Sequence, residues 1–194
     1  VTPRGICAIT AATTSGWAWP ANIGPEPSRK STYSLPDTSH TRPPAPRDIA
    51  AQPIAIEQAL AGRTVARGEF RSITGTRRGF DATLNGTWDG RVLTLVEDFA
   101  FDDGERDRKT WRLEQTAPGR FIGTREDVVG TADGFQDGDV FRLEYNVRLG
   151  DRVVRFRDVL ALTPEGDVQN DATVGWAGLR VGAVSLRIRR EPVG

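Results

Sequence analysis

From Arg63 to Arg189 apolar and polar residues alternate with a period of two. The alternation breaks at turn signals spaced by roughly a dozen residues or more. These breaks are Asp89-Gly90, Asp102-Asp103-Gly104, Pro118-Gly119, Gly150-Asp151 and Pro164-Glu165-Gly166. A strand puts successive side chains on opposite faces, so each run has one apolar face to bury. No helix-length pattern intervenes, which excludes βαβ units.

The turns test this reading. A two-residue Asp89-Gly90 turn keeps Phe80, Ala82, Leu84, Gly86 and Trp88 on one side with Leu93, Leu95, Glu97, Phe99 and Phe101, setting Leu84 opposite Leu95 and Ala82 opposite Glu97. A three-residue Asp102-Asp103-Gly104 loop continues that face into Lys109, Trp111 and Leu113, with Lys109 across from Glu97. A two-residue Gly150-Asp151 turn matches Phe141, Leu143, Tyr145 and Val147 to Val154, Phe156, Asp158 and Leu160. Long strands with one apolar face need a cover, and closure supplies it while removing exposed edges. The fold class expected is all-β: a lipocalin-like antiparallel meander barrel, its last strand, Ala183 to Arg189, closing against an early one. A two-sheet sandwich is the alternative.

The segment ahead of the meander differs in kind. Nine of the 12 prolines lie in residues 1–53, among Ser, Thr and Asn. Such a stretch cannot bury enough apolar surface to offset its ordering entropy. Residues 1–50 therefore read as a disordered Pro/Ser/Thr-rich leader and 51–194 as the barrel domain. Between them PIAIEQALAG reads as a short helix that plugs or flanks a barrel end, with Ile54, Ile56 and Leu60 as its apolar stripe and Gly62 as its stop.

Composition removes several function classes. Residues 1–50 carry five basic and three acidic groups, the remainder 21 and 23. Neither part has the basic excess that phosphate neutralisation needs, so nucleic acid is not an expected partner. The single cysteine, Cys7, and single histidine, His40, both fall in the leader. Multi-cysteine zinc sites, multi-histidine metal sites and histidine triads are thereby excluded from the folded part, and no metal or cofactor is expected. The N-terminal VTPRGICAITAATTSGWAWP has its apolar stretch interrupted by Thr and Ser and makes a poor signal peptide.

The informative positions are polar residues where apolar ones belong. Glu97 interrupts the Leu93/Leu95/Phe99/Phe101 face, and Asp158 interrupts the Val154/Phe156/Leu160/Leu162 face near Tyr145. If both faces point inward, the lumen holds Glu97, Lys109, Tyr145 and Asp158 among apolar walls. Three readings stand: a satisfied structural pair, groups that orient a ligand, or a desolvated carboxylate acting as general acid or base. The acidic run DDGERD and the cluster Asp133, Asp137 and Asp139 resemble cation loops in composition only, and read as a solvated turn and a Gly-rich loop. The Asn85-Gly-Thr87 sequon lies within a strand. Trp17 and Trp19 could touch a membrane or a partner but read as part of the leader.

The stretches GTWDGRVLTLVEDFAFDDGERDRKTWRL, GRFIGTREDVVGTADG, RLEYNVRL, FRDVLALTPEGDVQN and GLRVGAVSL resemble, in order and spacing, the bacterial family called domain of unknown function 3833 (DUF3833). The resemblance covers about Gly68 to Arg189 and implies a lipocalin-like barrel and, by association only, a lipid or other lipophilic partner. Its members are often lipoproteins. It implies shared polar and aromatic positions at Glu97, Asp98, Trp111, Asp127, Tyr145, Asp158 and Asn170, and names no catalytic residue. The chain departs from the family pattern at Asn170-Asp171, in place of Asn-Arg, and at Trp176, in place of a lysine. Lys109 replaces a common arginine, which keeps the charge and loses the planar fork. Cys7 follows Arg-Gly-Ile without an apolar segment, so no lipobox is present. A bacterial cytoplasmic or periplasmic setting is expected, with membrane association left open.

The leading functional expectation is a non-enzymatic barrel that binds or carries a small lipophilic (lipid or acyl) molecule. Glu97, Lys109, Tyr145 and Asp158 would orient its polar end, Trp111, Phe99 and Phe156 would line the wall, and Asn170, one of the positions the resemblance implies, is a further ligand-binding candidate. This expects a cavity on the order of 300 Å3 or more. A non-metal isomerase or hydratase acting on lipids through a buried carboxylate is the first alternative. A structural envelope barrel with a filled lumen is the second.

Overall fold

The structure is a computed structural model that describes residues 52–191. The leader positions Cys7, Trp17, Trp19 and His40 lie outside the described residues. A single turn of helix, α1 (Ile56–Ala59), is followed by ten strands: β1 (Gly62–Ser72), β2 (Arg77–Trp88), β3 (Val92–Phe101), β4 (Arg106–Ala117), β5 (Arg120–Thr124), β6 (Ala132–Asp137), β7 (Val140–Leu149), β8 (Arg152–Leu162), β9 (Val168–Trp176) and β10 (Leu179–Arg190). Each strand pairs antiparallel with the next, and β10 pairs with β1, so the meander closes into a barrel. It is a barrel and not a sandwich.

Two of the three expected registers are observed. The β7–β8 hairpin pairs Phe141 with Leu160, Leu143 with Asp158, Tyr145 with Phe156 and Val147 with Val154. In β3–β4, Glu97 and Lys109 are register partners. The β2–β3 hairpin is slipped by two residues from the expected pairing. Leu84 faces Glu97, Ala82 faces Phe99 and Trp88 faces Leu93. The cause is local: Asp89 Oδ1 accepts hydrogen bonds from the backbone N–H groups of Arg91 (2.8 Å) and Val92 (2.7 Å), which favours a longer loop than a two-residue turn. A slip of two preserves which face each side chain occupies, so the inward set is unchanged.

The segment expected as a Gly-rich loop, TADGFQDGD, contains strand β6. Asp and Gly are depleted in strands, yet Gly134 is needed here, because a Cβ on it would come within 2.8 Å of the Phe141 ring. Several of the acidic side chains suggested as cation ligands are engaged in ion pairs instead. Asp137 pairs with Arg142 (2.6 Å), Asp102 with Arg67 (3.0 Å) and Asp103 with Arg78 (2.8 Å).

Alternation sorts the strands cleanly. Outward residues form cross-strand ion pairs such as Arg67–Asp81 (2.8 Å) and Arg108–Asp98 (2.5 Å), and Arg187 on β10 reaches Asp167 in the turn before β9 (2.7 Å). Such exposed pairs are screened by water and salt and add little to stability, but the charged outer face is unlike the apolar band of a lipid-facing barrel. Inward residues such as Leu84, Leu93, Phe121, Phe141, Val147 and Val174 are fully buried. One barrel end is plugged by α1 and its flanks, with Ile54, Ile56 and Leu60 buried. Arg190 fixes the plug by donating to the carbonyls of Gln58 (2.6 Å) and Ala61 (3.3 Å). At the other end Phe80, Phe99 and Phe101 cluster, ring centroids 5.7–6.0 Å apart, with the Arg78 guanidinium 3.9 Å over Phe101.

Candidate functional site in the barrel lumen

The lumen holds a cavity of about 140 Å3. This is smaller than the expected cavity, because aromatic side chains fill much of the interior. Its walls include Leu95, Phe99, Trp111, Phe141, Tyr145 and Phe156, and its polar members are Glu97, Asp158, Asn170, Arg125 and, near the Phe80 cluster, Arg78. Tyr145 stacks on Phe156 (5.2 Å between centroids, planes 6° apart) and meets Trp111 edge-on (5.0 Å). The site residues expected from sequence therefore converge on one cavity, apart from Lys109.

Lys109 is buried, 3% exposed, but its ammonium does not pair with Glu97. It lies 3.3 Å from Asp107 and 3.7 Å from Asp127, and it is not among the residues lining the cavity. The cation nearest Glu97 is Arg125, whose Nη1 is 4.0 Å from Oε2. The expected Glu97–Lys109 pair is thus replaced by a chain of buried charges, Lys109–Asp127–Arg125–Glu97.

Arg125 is the residue that sequence reading missed. It opens the irregular segment between β5 and β6, where no period shows which way a side chain points. The short β5 and β6 leave β4 and β7 incompletely paired at this end, and the segment fills the gap. Glu126 accepts from the Thr110 N–H (3.0 and 3.1 Å), Val129 N–H donates to the Asn146 carbonyl (2.8 Å), and Arg148 N–H donates to the Asp127 carbonyl (3.0 Å). With the backbone held on both sides, Arg125 lies 4.6 Å over Trp111 and 5.3 Å from Tyr145, and its Nε donates to Asp127 (2.7 Å). The only trace of it in the sequence is the charged triplet Arg125-Glu126-Asp127 inside a family-like stretch.

The two lumen carboxylates are held differently. Asp158 Oδ2 accepts from Tyr145 Oη (3.4 Å) and Asn170 Nδ2 (3.2 Å). Asp158 Oδ1 and Asn170 Oδ1 are buried without a hydrogen-bond partner among the described residues. Burial pushes Asp158 up to about 6, while Asn170, Arg125 and Tyr145 hold it back. Burial pushes Glu97 up to about 7; Arg125 opposes the rise, and the nearby Asp158, Asp127 and Glu126 add to it. Both carboxyls thus titrate near neutrality inside an apolar chamber, where a group can orient a ligand or exchange a proton.

A closed antiparallel meander with one end plugged by a helical turn, and a small polar cluster within an aromatic lumen, is the architecture of the lipocalin-like barrels. Within that class the chain belongs to the family of proteins of unknown function DUF3833, whose model matches residues 43–190. Among solved structures it is similar to the S-type phycobiliprotein lyase CPES from Guillardia theta, with 10% identity, a TM-score of 0.54 and coverage of 71% of this chain and 92% of that one. It also matches EF1p2_mFAP2b bound to DFHBI, with 10% identity, a TM-score of 0.40 and coverage of 69% and 95%. A redesigned β-barrel, mFAP1, bound to DFHBI gives 11% identity, a TM-score of 0.38 and coverage of 69% and 97%. At such identities the first likeness speaks to fold alone. The curated proteins contain no match.

Proposed function

We propose that this protein binds a small lipophilic molecule in its lumen, with Glu97, Asp158, Tyr145 and Asn170 orienting its polar end. One observation carries the reading: a cavity with aromatic and aliphatic walls contains two buried acceptor oxygens, Asp158 Oδ1 and Asn170 Oδ1, that no described residue satisfies. Buried polar atoms normally find a partner, and an apolar pocket with a few fixed polar groups is the usual form of a small-molecule site. A purely structural barrel, in which every inward polar group is satisfied, fits these two atoms less well. The 140 Å3 volume limits the enclosed part to a compact molecule or one end of a longer one, since an engineered cavity of ~150 Å3 takes up benzene.

The test is native mass spectrometry of the full chain purified without detergent, followed by solvent extraction and uptake from a mixed lipid extract. A bound lipophile is expected. Ala172→Leu, which adds volume to the lumen wall, should abolish the adduct while circular dichroism shows the fold retained. A clean apo mass with no uptake overturns the proposal.

A second reading, an isomerase or hydratase, draws on Glu97. Its carboxyl lines the cavity and titrates near 7, which suits a general base at neutral pH. It predicts turnover of a lumen-bound substrate that Glu97→Gln removes without loss of binding. Binding without conversion leaves the carrier reading in place.

A further inference from the structure

The charges inside the barrel are unequal. Glu97, Asp107, Asp127 and Asp158 are largely buried, and so are the cations Lys109, Arg125 and, at the Phe80 end of the cavity, Arg78. All three cations are already engaged: Lys109 lies between Asp107 and Asp127, Arg125 donates to both Asp127 oxygens (2.7 and 3.4 Å), and Arg78 pairs with Asp103 (2.8 Å) and Glu105 (2.5 Å). Glu97 has Arg125 only at 4.0 Å, and Asp158 accepts hydrogen bonds only from the neutral Tyr145 and Asn170, while Arg125 acts on it electrostatically. The two are close enough for ionised Asp158 to disfavour ionisation of Glu97. Negative charge is therefore in excess on the cavity side of the cluster.

We propose that the lumen recognises a protonated amine: a compact lipophilic ammonium whose N–H groups reach Asp158 Oδ1, Asn170 Oδ1 and the Glu97 carboxylate. This names the ligand class for the lumen-binding reading and rests on it. An ammonium has three donors and no acceptor, which matches three acceptors that lack a close donor. Its charge offsets the carboxylate excess, and desolvating a cation is tolerated where carboxylates face it. The Trp111, Tyr145 and Phe156 rings supply apolar wall for the rest of the molecule. A carboxylate ligand has the opposite chemistry. It would face Glu97 and Asp158, with Arg125 already held by Asp127 and Arg78 by Asp103 and Glu105. The arrangement selects against fatty acids and for amines.

The experiment is isothermal titration of the full chain at pH 7.5 with three probes of one shape: benzylamine, benzyl alcohol and benzoate. Hydrogen bonds to charged groups are worth about 1.5–3 kcal/mol, roughly a tenfold to hundredfold preference. Benzylamine should bind at least tenfold more tightly than benzyl alcohol, with benzoate undetectable. Asp158→Asn and, independently, Glu97→Gln should each weaken benzylamine about tenfold while moving benzyl alcohol by less than threefold. Ala172→Leu should abolish binding of all three. Benzyl alcohol or benzoate binding as tightly as the amine overturns the inference and leaves the lumen-binding reading standing. Benzylamine binding unchanged by both charge variants, or by Ala172→Leu, also overturns it. Failure of all three probes to bind also overturns it, and uptake from the lipid extract then decides the lumen-binding reading separately.

Discussion

Tyr145 lies flat against Phe156 across the β7–β8 ladder, with ring centroids 5.2 Å apart, and its hydroxyl reaches Asp158 on β8 at 3.4 Å. One side chain therefore builds the apolar wall and touches the carboxylate set into it. Tyr145→Phe keeps the stack and removes the donor. The lost hydrogen bond is long, so the stability cost should stay below about 1 kcal/mol. The cost should also depend on pH. It should be larger at pH 8, where Asp158 is ionised and needs donors, than at pH 5. Urea unfolding at the two pH values checks this, and an equal loss at both would show that the contact does not stabilise the ionised form.

Stability should fall as pH rises from about 4 to about 7. Glu97 and Asp158 titrate near 7 and 6 in the fold, against ordinary values of 4.5 and 3.8. Between those limits the native state holds more protons than the unfolded chain, so the slope of unfolding free energy with pH is negative. The stabilisation is full below the unfolded values, and it is lost as the carboxyls ionise within the barrel. At about 1.4 kcal/mol per pKa unit, the two shifts together correspond to a loss on the order of 6 kcal/mol across the window. Glu97→Gln, which cannot ionise, should flatten much of this slope. It should be close to wild type at pH 5 and more stable at pH 8. Urea midpoints measured in steps from pH 4.5 to 8 decide it, and a rise in stability with pH would show that these groups are ionised at low cost.

How much of this could be read from the chain depended on whether the backbone was periodic. Glu97 and Asp158 stood out because a strand's alternation tells where each side chain points, and the β7–β8 register followed from a two-residue turn. The β2–β3 slip was hidden because it depends on Asp89 folding its carboxylate over two N–H groups, which residue type alone does not dictate. Arg125 was hidden more deeply, since its inward direction comes from hydrogen bonds to β4 and β7 that are distant in sequence. Lys109 had the right face and register, yet its partner was settled by Asp127, which enters from the same irregular segment.

That choice of partner makes Lys109 a structural ion with a measurable cost. Lys109→Met removes the cation and strands Asp107 and Asp127 in a buried setting, although Arg125 still contacts Asp127. Removing one member of a buried ion pair costs about 3–5 kcal/mol, most of it from the charge left behind. Pairing Lys109→Met with Asp107→Asn should recover part of that loss in chemical denaturation. Lys109 lies outside the cavity wall, so the double variant should keep whatever ligand affinity the wild type has. A single variant that unfolds like wild type would show that Lys109 does not stabilise these carboxylates.

The plug end of the barrel rests on Gly86. It sits on the inward face of β2, paired with Gly62 of β1, and any Cβ there would overlap the carbonyl oxygen of Leu60, the residue that ends α1. A backbone carbonyl cannot swing aside as a flexible side chain can, so Gly86→Ala must push the helical turn outwards. That movement lifts Ile56 and Leu60 from the lumen, where both line the cavity, and strains the Arg190 hydrogen bonds to Gln58 and Ala61. Overpacking of this kind costs about 1–3 kcal/mol. The β-ladders do not pass through α1, so the strands should persist while the plug loosens. Hydrogen exchange separates the two: the Leu60 amide, bonded to the Ile56 carbonyl at 3.1 Å, should exchange at least tenfold faster in Gly86→Ala, while the β7–β8 amides remain protected. Uniform protection across both would show that β2 moves instead of the helix and that the plug is more firmly seated than the barrel wall.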